Sequence, residues 1–229
     1  MCGIVGYVNY NGKADVKILH RMVYAIGHRG PDAMSGFVNK QVALGTARLS
    51  IVDLEGGIQP AANDNRDVCV IFNGEIYNYR DERAHLVQKG YVFSSNSEVE
   101  TLMYLYIEFG SKFVNRLNGQ FAIAIWDGRD ETLHLYRDRL GIRPLFWYRS
   151  NNEFIFASEI KSLFQHGSVS PRLNPKSISQ TFRFWTNIGD TTAFEDIQQV
   201  PPGHHAIVKR SLMKIDRYWN WPFPCDQKP

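Results

Sequence analysis

Met1-Cys2-Gly3-Ile4-Val5-Gly6-Tyr7-Val8 opens the chain. Ile4, Val5, Tyr7 and Val8 are apolar and β-prone, and glycines at 3 and 6 interrupt them. The stretch reads as a buried strand with small residues where something approaches closely. A terminus tied into a sheet is ordered, so a cysteine at its tip is held in place. Taken alone, a free cysteine usually packs as a small hydrophobe. If Met1 is removed, however, the Cys2 thiol and a free α-amine share one carbon, which makes a nucleophile with its own base. A thiol titrates near ~8.5 and an α-amine near ~7.7–8.0, so much of that amine is neutral at about pH 7 to 8. No histidine is needed.

Helical spacing of Val16, Leu19, Val23 and Ile26 predicts a helix over Asp15 to Gly27. Strands are expected at Gln41 to Ala47 and Asp67 to Phe72, with Cys69 a core residue of the second. A short helix is expected from Arg80 to Lys89 and a stronger one from about Asn96 to Phe109. Ser95 and Glu98 make the S-x-x-E capping box that would start the latter. Gln120 to Trp126, the Asp127-Gly128 turn and Thr132 to Tyr136 read as one hairpin. Leu145 to Arg149, Asn151-Asn152 and Glu153 to Ala157 read as another. Pro175 to Phe184 suits a helix and Ala206 to Val208 a strand, whereas His204-His205 after Pro-Pro-Gly reads as a solvated loop. Hairpins interleaved with amphipathic helices indicate an α+β class with layered sheets and helices. Two stacked sheets between helix layers would suit this length.

The 229 residues fit one large domain or a domain with a tail. An apolar fraction of 44% and a charged fraction of 21% are those of an ordinary globular chain. A formal charge of +3 without long like-charge runs argues against nucleic acid as a partner. No apolar stretch has the length of a membrane span, and no secretory signal pattern is present. Three cysteines, Cys2, Cys69 and Cys225, give neither a disulfide framework nor zinc spacing, which fits a reducing cytoplasm. No metal site is expected.

Several separated motifs, in order, resemble the glutaminase domain of class II glutamine amidotransferases. They are Cys2-Gly3-Ile4-Val5-Gly6, His28-Arg29-Gly30-Pro31-Asp32, Arg48-Leu49-Ser50-Ile51-Val52-Asp53 and Phe72-Asn73-Gly74-Glu75-Ile76-Tyr77-Asn78. Arg137-Asp138-Arg139-Leu140-Gly141-Ile142-Arg143-Pro144-Leu145 and Ala157-Ser158-Glu159-Ile160-Lys161-Ser162-Leu163 resemble the asparagine synthetase branch in particular. The resemblance runs to about Trp219. It implies a four-layer αββα Ntn-hydrolase sandwich with two stacked, mainly antiparallel sheets, and hydrolysis of L-glutamine to glutamate and ammonia. Cys2 would be the nucleophile, and Asn73 with Gly74 the oxyanion hole; read alone, Asn-Gly is as well explained by a hairpin turn. Arg48 would grip the α-carboxylate as a planar two-pronged donor, with backbone contacts from Leu49, Ser50, Ile51 and Val52. Glu75 and position 96 would hold the α-ammonium.

Position 96 departs from the pattern, because the family usually carries aspartate there and this chain has Asn96. A neutral amide lacks the opposing charge, so glutamine binding about tenfold weaker is expected, restored by Asn96→Asp. The Asp138, Arg143 and His28-to-Asp32 charges are expected to fix loops around the substrate, with His28 not catalytic. The pyrophosphate loop of an ATP-using synthetase domain is absent, so no cofactor belongs to this chain; ATP and magnesium would belong to a synthetase domain. The expected organisation is an amidotransferase domain over 2–218 and a linker over 219–229. Its partners would be L-glutamine and an asparagine-synthetase-type domain, in cis or in trans, meeting an exposed apolar patch. The alternatives are a catalytically weakened or dead interaction module, and a self-processing hydrolase, for which an internal cleavage site is wanting.

Overall fold

The computed structural model describes residues 2–49 and 57–222. Ser50, Ile51, Val52 and Cys225 therefore lie outside the described residues, as do Met1 and most of the expected linker. The elements begin with β1 (Gly3–Asn9), α1 (Val16–Ala25), β2 (Ala33–Asn39), β3 (Val42–Arg48), β4 (Ala61–Ala62) and β5 (Val68–Ile76). Next come α2 (Tyr79–Gln88), α3 (Glu98–Phe109), β6 (Gly119–Asp127), β7 (Thr132–Arg137), β8 (Phe146–Arg149) and β9 (Glu153–Ala157). The chain continues with α4 (Ile160–Leu163), α5 (Pro175–Phe184), β10 (Ile197–Gln199), β11 (His204–Lys209) and β12 (Leu212–Arg217).

The strands form two antiparallel six-stranded sheets, ordered β10-β8-β9-β1-β3-β2 and β12-β11-β7-β6-β5-β4. Alternation along each strand divides the apolar side chains among three cores. Ile4, Val8, Val42 and Leu44 of the first sheet meet Cys69, Ile71, Ala122 and Leu135 of the second, filling the space between the sheets. Val5, Tyr7 and Ala43, on the other face of the first sheet, pack against Leu19, Met22 and Val23 of α1. Val68, Val70 and Phe72, on the outer face of the second, pack against Val99, Leu102 and Tyr106 of α3. The order helix, sheet, sheet, helix is the four-layer αββα sandwich.

Most expected elements form close to their expected bounds. Strand β5 runs four residues beyond Phe72, so Asn73 and Gly74 are strand residues, paired with Ala122 and Phe121 of β6, and not a turn. The cap of α3 also sits two residues later than expected. Ser97, not Ser95, accepts the Glu100 N–H, and the Glu100 carboxylate reaches back to the Ser94 and Ser95 N–H groups at 2.8 Å each. Ser97 thus supplies the hydroxyl half of the capping box, while its own N–H goes to Ser95 Oγ at 3.3 Å, and Glu98 bonds elsewhere.

His204-His205 is a second correction, for it belongs to strand β11 and not to a solvated loop. His205 is buried and stacks on Tyr136, its cross-strand partner, with ring centroids 4.0 Å apart. Its Nε2 lies 2.9 Å from His134 Nδ1, and His134 Nε2 lies 3.0 Å from the Tyr106 hydroxyl. Tyr106 donates to Asp127 Oδ2 at 2.8 Å, and Asp127 also accepts from the Arg129 side chain. Asp127 can only accept, which sets one polarity for neutral rings: His205 donates to His134, and His134 donates to Tyr106. Burial holds His134 down to about 4 and His205 down to about 3. No apolar run in the sequence predicts the β2 and β12 edge strands. Both are largely exposed, so neither carries the apolar run by which a buried strand is recognised.

Candidate functional site

The same alternation that builds the central core also builds the site. Cys2 precedes β1 on the face of Ile4, Arg48 ends β3 on the face of Val42 and Leu44, and Asn73 and Glu75 continue the face of Cys69 and Ile71. All four side chains therefore belong to the inter-sheet face. They meet there in one pocket, lined by Cys2, Arg48, Leu49, Asn73, Gly74 and Glu75. Gly57, Gln59, Phe72, Ser97, Glu98, Val99 and Arg143 complete the described wall.

Cys2 is held from three directions. The Leu49 N–H points at its sulfur at 3.4 Å, and the Leu49 carbonyl lies 3.5 Å from it. Arg29 Nε donates to the Cys2 carbonyl at 2.9 Å, and Arg29 Nη1 pairs with Glu159 at 2.9 Å. Burial alone would raise the Glu159 pKa, but bonds from Arg29, Lys161 and His28 outweigh it and hold the carboxylate at about 2. Ile4, two residues on, donates to the Ser158 hydroxyl and accepts from the Ser158 N–H. The HRGPD and ASEIKSL motifs thus clamp the cysteine and its strand. Fixing the nucleophile in advance removes the cost of ordering it when substrate arrives.

Asn73 is 1% exposed, yet its Nδ2 amide has no hydrogen-bond partner among the described residues. A buried orphan donor costs roughly 1–3 kcal/mol, and here it belongs to the pocket that Cys2 also lines. Gly74 is fixed by close approach, because a Cβ would lie 2.1 Å from the Gln120 carbonyl oxygen. Asp138 accepts from the N–H groups of Phe121, Leu140, Ile142 and Arg143, which folds the loop that brings Arg143 to the pocket.

Among the expected residues, Asn96 is exposed and is not part of the described pocket wall. Glu98 is part of it. Its Oε1 accepts the Ile76 N–H at 2.7 Å, and burial, reinforced by the Glu75 charge, pushes its carboxyl up to about 7. In the sequence Glu98 was taken up by the capping pattern, and only the shift of the cap to Ser97 and Glu100 releases it. Arg143, expected from its motif to fix a loop around the substrate, itself lines the pocket. Among the described residues, no group of three or more His, Cys, Asp or Glu side chains could hold a metal ion, and no helix is long and apolar enough to cross a membrane.

The glutamine amidotransferase domain family matches residues 1–219. The chain belongs to that family. This amidotransferase domain is 35% identical over 225 residues to asparagine synthetase [glutamine-hydrolyzing] 3 of Bacillus subtilis (strain 168), covering 96% of this chain and 37% of the relative. It is 37% identical over 233 residues to asparagine synthetase [glutamine-hydrolyzing] 2 of the same organism, covering 96% of this chain and 31% of the relative. The chain thus spans about a third of the length of these curated relatives. It shares its fold with the glutamine phosphoribosylpyrophosphate amidotransferase of B. subtilis, with a TM-score of 0.71 at 19% identity over 95% of this chain and 49% of that one. The likeness to the synthetases is confined to that third of their length, and the fold shared with the amidotransferase structure is the four-layer αββα sandwich.

Proposed function

We propose that this chain hydrolyses L-glutamine to glutamate and ammonia with Cys2 as nucleophile, as the glutaminase part of an asparagine-synthetase-type protein. The observation that carries the reading is the buried, unpartnered Asn73 amide beside a clamped cysteine. The Cys2 thiol loses its proton to the α-amine freed by removal of Met1, and the sulfur attacks the side-chain amide carbon. The Asn73 amide and the Gly74 N–H stabilise the oxyanion that forms. The carbon–nitrogen bond then breaks, the ammonium returns the proton to the departing nitrogen, and ammonia leaves. Water hydrolyses the remaining thioester to glutamate and frees the thiol. Arg48 holds the α-carboxylate, and Leu49 with residues Ser50, Ile51 and Val52 supplies backbone contacts.

The named roles of the curated relatives support asparagine synthesis as the use of the ammonia, with ATP and magnesium bound outside this chain. We place the domain boundary near residue 218 and the protein in the cytoplasm. Phe182, Phe184, Trp185 and Ile188, exposed around the end of α5, are the surface we assign to a synthetase domain. The experiment measures ammonia release from L-glutamine, with Cys2→Ala as control and intact mass to show whether Met1 is gone. Release that vanishes in the variant is expected. Release that survives in the variant overturns the mechanism, and no release from processed, unsubstituted protein favours an interaction module.

A further inference from the structure

We propose that Glu98, together with Glu75, forms the subsite for the substrate's α-ammonium group, in place of the neutral residue at position 96. This rests on the glutaminase reading above and deepens it. The described pocket wall carries two guanidinium groups, Arg48 and Arg143, and two carboxylates, Glu75 and Glu98. That balance suits a zwitterion. Arg48 takes the α-carboxylate, and an ammonium group needs carboxylates on its own side.

Glu98 is 7% exposed, and among the described residues no cation pairs with it. Burying a carboxylate without a cation is costly, and the cost marks the group as waiting for one. The Ile76 N–H bonds only Oε1, which orients the side chain and leaves Oε2 as an acceptor. The group sits at the first residue of α3, a twelve-residue helix whose N-terminal dipole favours the anion. Burial and Glu75 push the other way, towards the protonated form. A bound ammonium group relieves both, because it supplies the missing positive charge between the two carboxylates. Asn96, exposed and outside the described wall, does not have this placement.

The test compares L-glutamine with glutaramic acid, which is glutamine without the α-amine, as substrates or as competitors of ammonia release. Glu98→Gln keeps the acceptor for Ile76 and removes the charge. The expected result is a KM for L-glutamine raised about tenfold or more, with kcat changed much less and the constant for glutaramic acid unchanged. Glu98→Asp recovers part of the loss, and Asn96→Asp shifts the KM less than Glu98→Gln does. A Glu98→Gln variant that melts like the parent and weakens both compounds equally, or neither, overturns the subsite and leaves the glutaminase reading standing. Absence of ammonia release from processed, unsubstituted protein would instead overturn the reading on which the subsite rests.

Discussion

Two of the buried polar regions of this sandwich are built on opposite plans. In the Asp127–Tyr106–His134–His205 chain each link has a partner, and donors and acceptors match from end to end. In the pocket, among the described residues, Asn73 keeps a buried donor without an acceptor, and Glu98 a buried carboxyl without a counter-ion. A satisfied network stabilises one conformation, whereas an unsatisfied one costs stability that a ligand can return. Buried polar residues alone would not separate the two regions; the state of their partners does.

The largest effect that can break this contrast is on catalysis. Cys2→Ala should lower ammonia release by on the order of 10³-fold or more with an unchanged melting temperature, since Cys2 completes no core contact. Asn73→Ala should lower kcat by roughly 10²–10³-fold and leave melting equal or slightly higher, because an orphaned donor is removed. A large loss of stability in that variant would show that Asn73 is structural. Asp138→Ala should do the reverse. Four N–H groups lose their acceptor, so a drop of about 3 kcal/mol or more is expected, or roughly 6–12 °C in melting temperature.

The regions also respond to pH with opposite signs. His134 and His205 are neutral in the folded chain and take up protons on unfolding below about pH 6.5. The stability they contribute is present above that value and is lost as pH falls towards their folded values of about 4 and about 3. The slope is at most ~1.4 kcal/mol per pH unit for each. Glu98, raised to about 7, contributes stability that is present below the ordinary carboxylate range and is lost as pH rises through 7. Chemical denaturation of the parent and of Glu98→Gln across pH 4 to 8 reads the difference. The variant should gain on the parent between about pH 4.5 and 7, and a flat difference would contradict the burial of that charge. The smallest effect belongs to the exposed pair Arg172–Asp196 at 2.8 Å. Arg172→Ala should change stability by less than about 1 kcal/mol.

Much of this was legible in the chain because the strands that matter are buried on two faces. Runs such as Val68-Cys69-Val70-Ile71-Phe72 declare themselves, and Cys2, Arg48 and Asn73 stand at the ends of such runs. Edge strands β2 and β12 did not declare themselves, since exposure removes the apolar signal. The α3 cap was displaced because two overlapping S-x-x-E patterns satisfy the same rule, and the choice depends on Ile76, distant in sequence. His205 was misread for a similar reason: a histidine pair after Pro-Pro-Gly looks wet until Tyr136 and His134 are placed beside it. A residue of the pocket wall that comes from afar, such as Gln59, has no local mark at all.

The most direct measurement is covalent trapping with a diazoketone analogue of glutamine, followed by intact-mass and peptide mapping. Protein lacking Met1 should take up one equivalent on the Cys2 sulfur, with ammonia release lost in proportion. Label on another residue, or full ammonia release from protein whose Cys2 is blocked, would contradict the account.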